Sequence, residues 1–188
     1  MNTRTLSSSF LLVCVLLGSG LARGQAHRRD PLTDAEIDKL RDTAQVPEER
    51  LKLYIGFARA RLERAQQIHA DPKAADRPAQ TRQAFEEFVD VYDELNTNVD
   101  TYADRGEDLR KALKPVIEAD TEFGAKIRAF KSSLGQSQEG RDDDFIVGSA
   151  LEAVDSGAKD HRDLLAQQEE LFKHKKKQNR KEDSARAE

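Results

Sequence analysis

Residues 85–102 read FEEFVDVYDELNTNVDTY. Phe85, Phe88, Tyr92, Leu95, Val99 and Tyr102 recur at alternating steps of three and four. That spacing draws one apolar stripe along a helix, the seam of packed helices, and a stripe of this kind must be covered by something. It continues in register through Leu109, Leu113, Val116, Asp120, Phe123, Ile127, Phe130 and Leu134. Two architectures follow. A single helix from Pro78 to Leu134 would hold 57 residues and form a rod about 85 Å long at about 1.5 Å per residue. Alternatively, the chain turns near Gly106 and folds the two halves into a hairpin. Asp104-Arg-Gly-Glu-Asp108 favours the turn, because Gly106 suits the position just past a helix end and the acids suit a following N-terminus. Pro115 either kinks the second half or marks its start.

Working outward, Thr33 and Glu36 form a capping box for a short first helix whose apolar stripe is Ile37, Leu40 and Ala44. Pro47, followed by Glu48 and Glu49, opens a second helix. Its buried face is Leu51, Ile55, Ala58, Leu62, Ala65 and Ile68, widened by Leu53 and Phe57. His69–Pro72 and Asp76–Pro78 mark a loop before the decisive stretch, and Gly135–Gly140 marks one after it. A last helix opens at Asp142-Asp-Asp144, with its seam at Val147, Leu151, Val154, Ala158, His161, Leu165, Gln168 and Phe172. Ala150, Ala153 and Gly157 are small enough for a neighbour to come close. The expected fold is all-α: an antiparallel up-and-down four-helix bundle with a short N-terminal helix, the rod being the alternative.

The first 26 residues read as a secretory signal peptide. Arg4 supplies the positive end, residues 10–17 (FLLVCVLL) the apolar core, and Ala22 or Ala26 ends a small-residue cleavage site. Eight apolar residues span only about 12 Å as a helix, too little for a membrane anchor. The expected organisation is therefore a leader over 1–26, a flexible start over 27–32, a bundle over 33–176 and a disordered charged tail over 177–188. The expected address is periplasmic or secreted.

Cleavage after Ala26 leaves 162 of 188 residues, one domain's worth. Losing Arg4 and Arg23 takes the net charge from −4 to −6, which argues against nucleic acid as a partner. The only Cys is Cys14 and the only Met is Met1, so the exported part has neither. Disulfides, thiol nucleophiles, Cys-ligated metal centres and c-type haem are all excluded, and no cofactor is expected.

No Glu-x-x-His pair suggests a di-metal site. Glu86, Glu87, Asp90, Asp93 and Glu94 flank the seam and read as a solvated face. Asp142-Asp-Asp144 lacks calcium-loop order and reads as a helix cap. Buried polar seam positions are more pointed. Pairing the helices about their loops sets Tyr92 across from residues near Ala119 and Asp120. The same pairing puts Asp120 near Asp155 and Ser156, with His161 about one turn away. Tyr92, Asp120 and His161 are therefore the candidate polar layer, which either fixes register or forms a site. Lys173, Lys175, Lys176, Lys177, Arg180 and Lys181 are the candidate contact to an anionic surface, unless they only complement a helix C-terminus.

The stretch from Tyr102 through Pro115 to Phe123 resembles uncharacterised small secreted all-helical proteins of bacteria. The resemblance implies a bacterial origin and an exported address, and it implies no activity. The expected function is a non-enzymatic structural or protein-interaction role in the cell envelope, with an unknown protein or an anionic envelope component as partner. A metal- or small-ligand-binding bundle using Asp120 and His161 is the first alternative. An envelope chaperone with an exposed apolar concavity is the second.

Overall fold

A computed structural model describes residues 30–134 and 138–186, with side chains over 30–134 and 143–174. The leader expected over 1–26 lies outside the described residues. From Pro31 onward the chain forms one unit of five helices, and no strand occurs among the described residues.

Helix α1 spans Asp34–Asp42 and begins with the expected capping box. Glu36 N–H donates to Thr33 Oγ1 at 3.3 Å, and Thr33 N–H donates to Glu36 Oε2 at 2.8 Å. Only Leu40 of its stripe is fully buried; α1 stops at Asp42, so Ala44 lies past its end and is exposed. The helix is held to α2 (Pro47–Ala70) through a side-chain clamp. Arg61 donates to Glu36 Oε2 at 2.6 Å and to the Pro31 carbonyl at 3.0 Å. Leu32 packs partly on the core, so residues 31 and 32 belong to the bundle and not to the flexible start assigned to them.

Helix α3 spans Arg77–Asp104, and all six residues of its seam are buried. It ends in a Schellman motif. Gly106 N–H donates to the Ala103 carbonyl at 2.9 Å, and Glu107 N–H donates to the Tyr102 carbonyl at 3.1 Å. Gly106 takes φ +74°, which its missing Cβ permits. The chain therefore turns here and is not a rod. Helix α4 spans Leu113–Ser133, with Pro115 in its first turn, where its missing N–H is harmless.

Helix α5 spans Gln138–Arg186, longer at both ends than the sequence reading. Asp142-Asp-Asp144 lies inside the helix and does not cap it. Asp144 instead faces Lys131 of α4 at 3.3 Å. The segment expected as a disordered tail is helical through Arg186.

Successive long helices run antiparallel, but chain neighbours are not all bundle neighbours. Helix α2 packs on α3 and α4, and α5 packs on α3 and α4. No close backbone approach joins α3 to α4. These two lie across the diagonal, so the expected adjacent hairpin does not form. The eight-residue connection Arg105–Ala112 makes this possible. Extended, it reaches up to about 26 Å, ample for a diagonal of about 14 Å between helices spaced about 10 Å. A tight two-residue turn would have forced adjacency. Leu109 and Ala112 of the connection are buried and plug that end of the bundle.

Diagonal placement makes the core aromatic. Large side chains of α3 and α4 meet in the middle: Phe85 with Phe130 at 4.9 Å between centroids and Phe88 with Phe123 at 5.5 Å. Both pairs are edge-to-face, the arrangement that ring quadrupoles favour.

Candidate functional site

Below these aromatic pairs, the core turns polar for one layer. Tyr92 comes from α3, Asp120 from α4 and His161 from α5, with exposures of 0, 1 and 3%. Tyr92 Oη donates to Asp120 Oδ1 at 2.7 Å. His161 Nδ1 lies 2.9 Å from Asp120 Oδ2. As a carboxylate, Asp120 accepts from both, which meets the requirement that a buried carboxylate be paired. Burial first, then the charge and hydrogen bond of Asp120, push the Tyr92 phenol well above its ordinary value of 10. It therefore stays a donor at any physiological pH.

The three residues singled out from the sequence are thus brought together, but at a different register. Asp120 faces His161 directly, six residues beyond Asp155, a displacement of about 9 Å along α5. Asp155 instead pairs with Arg128. Gly157 meets Tyr92: a Cβ there would sit 2.4 Å from Tyr92 Oη. The small residue is needed where the phenol crosses toward α4.

His161 also borders an open groove between α3 and α5, about 770 Å³ in volume. Asp93, Asp100 and Asp104 of α3 and Asp160 and Asp163 of α5 line it, over Val99, Ala103, Ala153 and Leu164. No lysine or arginine lines it among the described residues. The sequence reading placed Asp93 on a solvated face, counted Asp104 among the acids of the turn at Gly106 and gave no role to the other three. Asp93, Asp100 and Asp104 share one α3 face by helical spacing, a signal present in the sequence. That α5 would set Asp160 and Asp163 opposite them depends on packing.

Two other polar features are structural. Buried Gln168 receives the Leu109 N–H at 2.7 Å and donates to the Glu107 carbonyl at 3.0 Å, latching α5 to the α3–α4 connection. On the α2–α4 side, Arg59 and Lys126 each approach Glu122 to 2.8 Å. Hydrogen bonds from Arg59, offset in part by burial and reinforced by Lys126, hold its carboxyl down at about 2.

Of the basic stretch, Lys173 pairs with Glu170 at 3.1 Å. The side chains of Lys175, Lys176, Lys177, Arg180 and Lys181 lie outside the described residues. Among the described residues, no group of three or more histidines and acids is placed to hold a metal ion. No helix among them is long and apolar enough to cross a membrane. The chain matches no model of a known protein family, no curated protein and no solved structure.

Proposed function

We propose that this chain is an exported, non-enzymatic helical-bundle protein of the bacterial cell envelope that works as an interaction module. The observation that carries the reading is the contrast between its two polar regions. Tyr92, Asp120 and His161 are buried and bonded to one another, an arrangement that sets helix register. The groove between α3 and α5 is open and lined by carboxylates from two helices, a surface suited to a donor-rich partner. A bundle that only had to fold would gain nothing by setting Asp100 and Asp104 of α3 across from Asp160 of α5, like charges that repel.

The test is site-specific photo-crosslinking in the native envelope. A photo-reactive residue at Asp100, on the groove, should yield a discrete adduct. The same residue at Lys52, exposed on α2, should yield none. Equal labelling from both positions, or from neither, would refute the interaction reading. The export part is checked separately, by sequencing the N-terminus of protein recovered outside the cytoplasm. It should begin at Arg23 or His27.

A further inference from the structure

We propose that the far end of α5 is a cationic arm that seats this chain end-on on an anionic phospholipid bilayer. The surface is separate from the α3–α5 groove. First, α5 outruns its bundle. Among the described residues its last buried side chain is Gln168, bonded to the Leu109 N–H and the Glu107 carbonyl where the α3–α4 connection closes this end. Phe172, half-buried, lies beneath Arg110 at 4.5 Å. The helix continues fourteen residues further, to Arg186, about 21 Å. Second, the stripe that packs α5 on its neighbours ends there. Its steps of three and four run through Ala158, His161, Leu165, Gln168 and Phe172, and continue as Lys175, Asn179, Glu182 and Arg186. No apolar residue follows on that line. A second copy of this chain, or a groove that takes an amphipathic helix, therefore finds no anchor on the extension.

Third, the charge is segregated. Residues 27–172 hold 22 Lys or Arg against 32 Asp or Glu, and residues 173–188 hold seven against three. The helix dipole does not account for this. Its effect fades within the last turn, whereas Lys176 and Lys177 lie ten and nine residues before the end of α5, and the last turn holds Asp183. By register Lys176, Lys177, Arg180 and Lys181 share one face of the helix, with Glu182 on the opposite one. Lys173, one turn earlier, is already paired with Glu170. The composition also selects the partner. Single-stranded nucleic acid is held by aromatic stacking, and residues 173–188 contain no Phe, Tyr or Trp. The choice of lipid over duplex nucleic acid rests on the exported address proposed above. An anionic bilayer asks only for cations near its surface, each strengthening adsorption by roughly fivefold. The same surface repels the acidic body, but the arm holds that body off by more than the Debye length of about 8 Å. With no large apolar residue past Phe172, the arm adsorbs without inserting.

The experiment is co-sedimentation of the mature protein, residues 27–188, with vesicles of phosphatidylcholine containing about one-third phosphatidylglycerol. Binding is expected at low ionic strength and is lost at about 1 M salt, where the Debye length falls to about 3 Å. Pure phosphatidylcholine vesicles should bind none. Lys176→Gln, Lys177→Gln, Arg180→Gln and Lys181→Gln together should weaken binding by about a hundredfold or more. Lys176→Arg, Lys177→Arg and Lys181→Arg together keep the charge and should keep the binding. Removing four exposed charges from the body, by Lys52→Gln, Lys73→Gln, Lys114→Gln and Arg162→Gln, should not weaken it. No binding to the anionic vesicles, equal binding to neutral ones, or binding that survives the fourfold substitution on the arm would overturn the proposal. So would an equal loss from the body substitutions, or capture by soluble inorganic polyphosphate in preference to vesicles at equal phosphate. If vesicle binding fails while the leader is found cleaved, the arm reading is wrong and the exported address stands. If the vesicles bind but the leader is retained, the arm stands and the address is wrong.

Discussion

Replacing Tyr92 by Phe keeps the ring in its core slot and removes one oxygen. That oxygen donates to Asp120 Oδ1 at 2.7 Å in a layer with no solvent access. His161 continues to serve Oδ2, so half of the carboxylate's pairing is lost while its burial is unchanged. A hydrogen bond to a charged group contributes about 1.5–3 kcal/mol. Relief of crowding against Gly157 offsets a little of this. The expected loss is about 2 kcal/mol, or a fall in Tm of about 4–8 °C for a domain of this size. Urea unfolding followed by circular dichroism measures it, with the slope unchanged and the midpoint lowered. A double-mutant cycle with Asp120→Asn isolates the pair, and about 1–2 kcal/mol of coupling is expected. A loss under about 0.5 kcal/mol, the level of ordinary surface substitutions, would refute the claim that this layer is a closed network needing every donor.

Three further predictions follow from the packing. Gly157→Ala places a methyl 2.4 Å from Tyr92 Oη and 3.0 Å from its ring. Overpacking of this kind costs about 1–3 kcal/mol, and denaturant melts should show a smaller loss in the Tyr92→Phe background. Gln168→Leu strands the buried Leu109 N–H and should cost about 1–3 kcal/mol. Hydrogen exchange of that amide should accelerate more than that of mid-helix amides in α3. Glu122 titrates at about 2 in the fold against an ordinary 4.5, so its contribution is present above 4.5 and lost as pH falls toward 2. Its side chain is about one-third exposed, and solvent screening reduces the expected contribution to about 1 kcal/mol. Stability measured across that window should be flatter in Glu122→Gln than in the parent.

The helices and their buried faces were legible in the chain because helical period is a local property. All six seam residues of residues 85–102 are buried, and so are Leu109, Leu113, Val116, Asp120, Phe123, Ile127 and Phe130. The capping box at Thr33 and the turn at Gly106 were legible for the same reason: each is made by residues within a few positions of one another. Tyr54 escaped notice although it is buried, because it lies at the edge of its helix's apolar stripe, where only the neighbour's position decides burial. The start of α5 escaped too. A run of aspartates reads as a cap, but the helix begins four residues earlier.

The candidate site divides along the same line. That Tyr92, Asp120 and His161 occupy seam positions follows from counting, and burial in a shared core then obliges polar residues to find one another. Counting about the loops nevertheless misplaced Asp120 by six residues of α5, because loop geometry sets the offset between helices and composition does not report it. The acidic groove was beyond reach. It needs α3 beside α5, and that adjacency exists only because α3 and α4 cross the diagonal. Sequence alone determined which residues face inward, through the 3.6-residue period of a backbone that hydrogen-bonds to itself. Only the tertiary structure decided which inward faces meet and which outward faces form a surface together. Those choices depend on an eight-residue connection, a glycine that admits a phenol, and the packing of aromatic rings across the core.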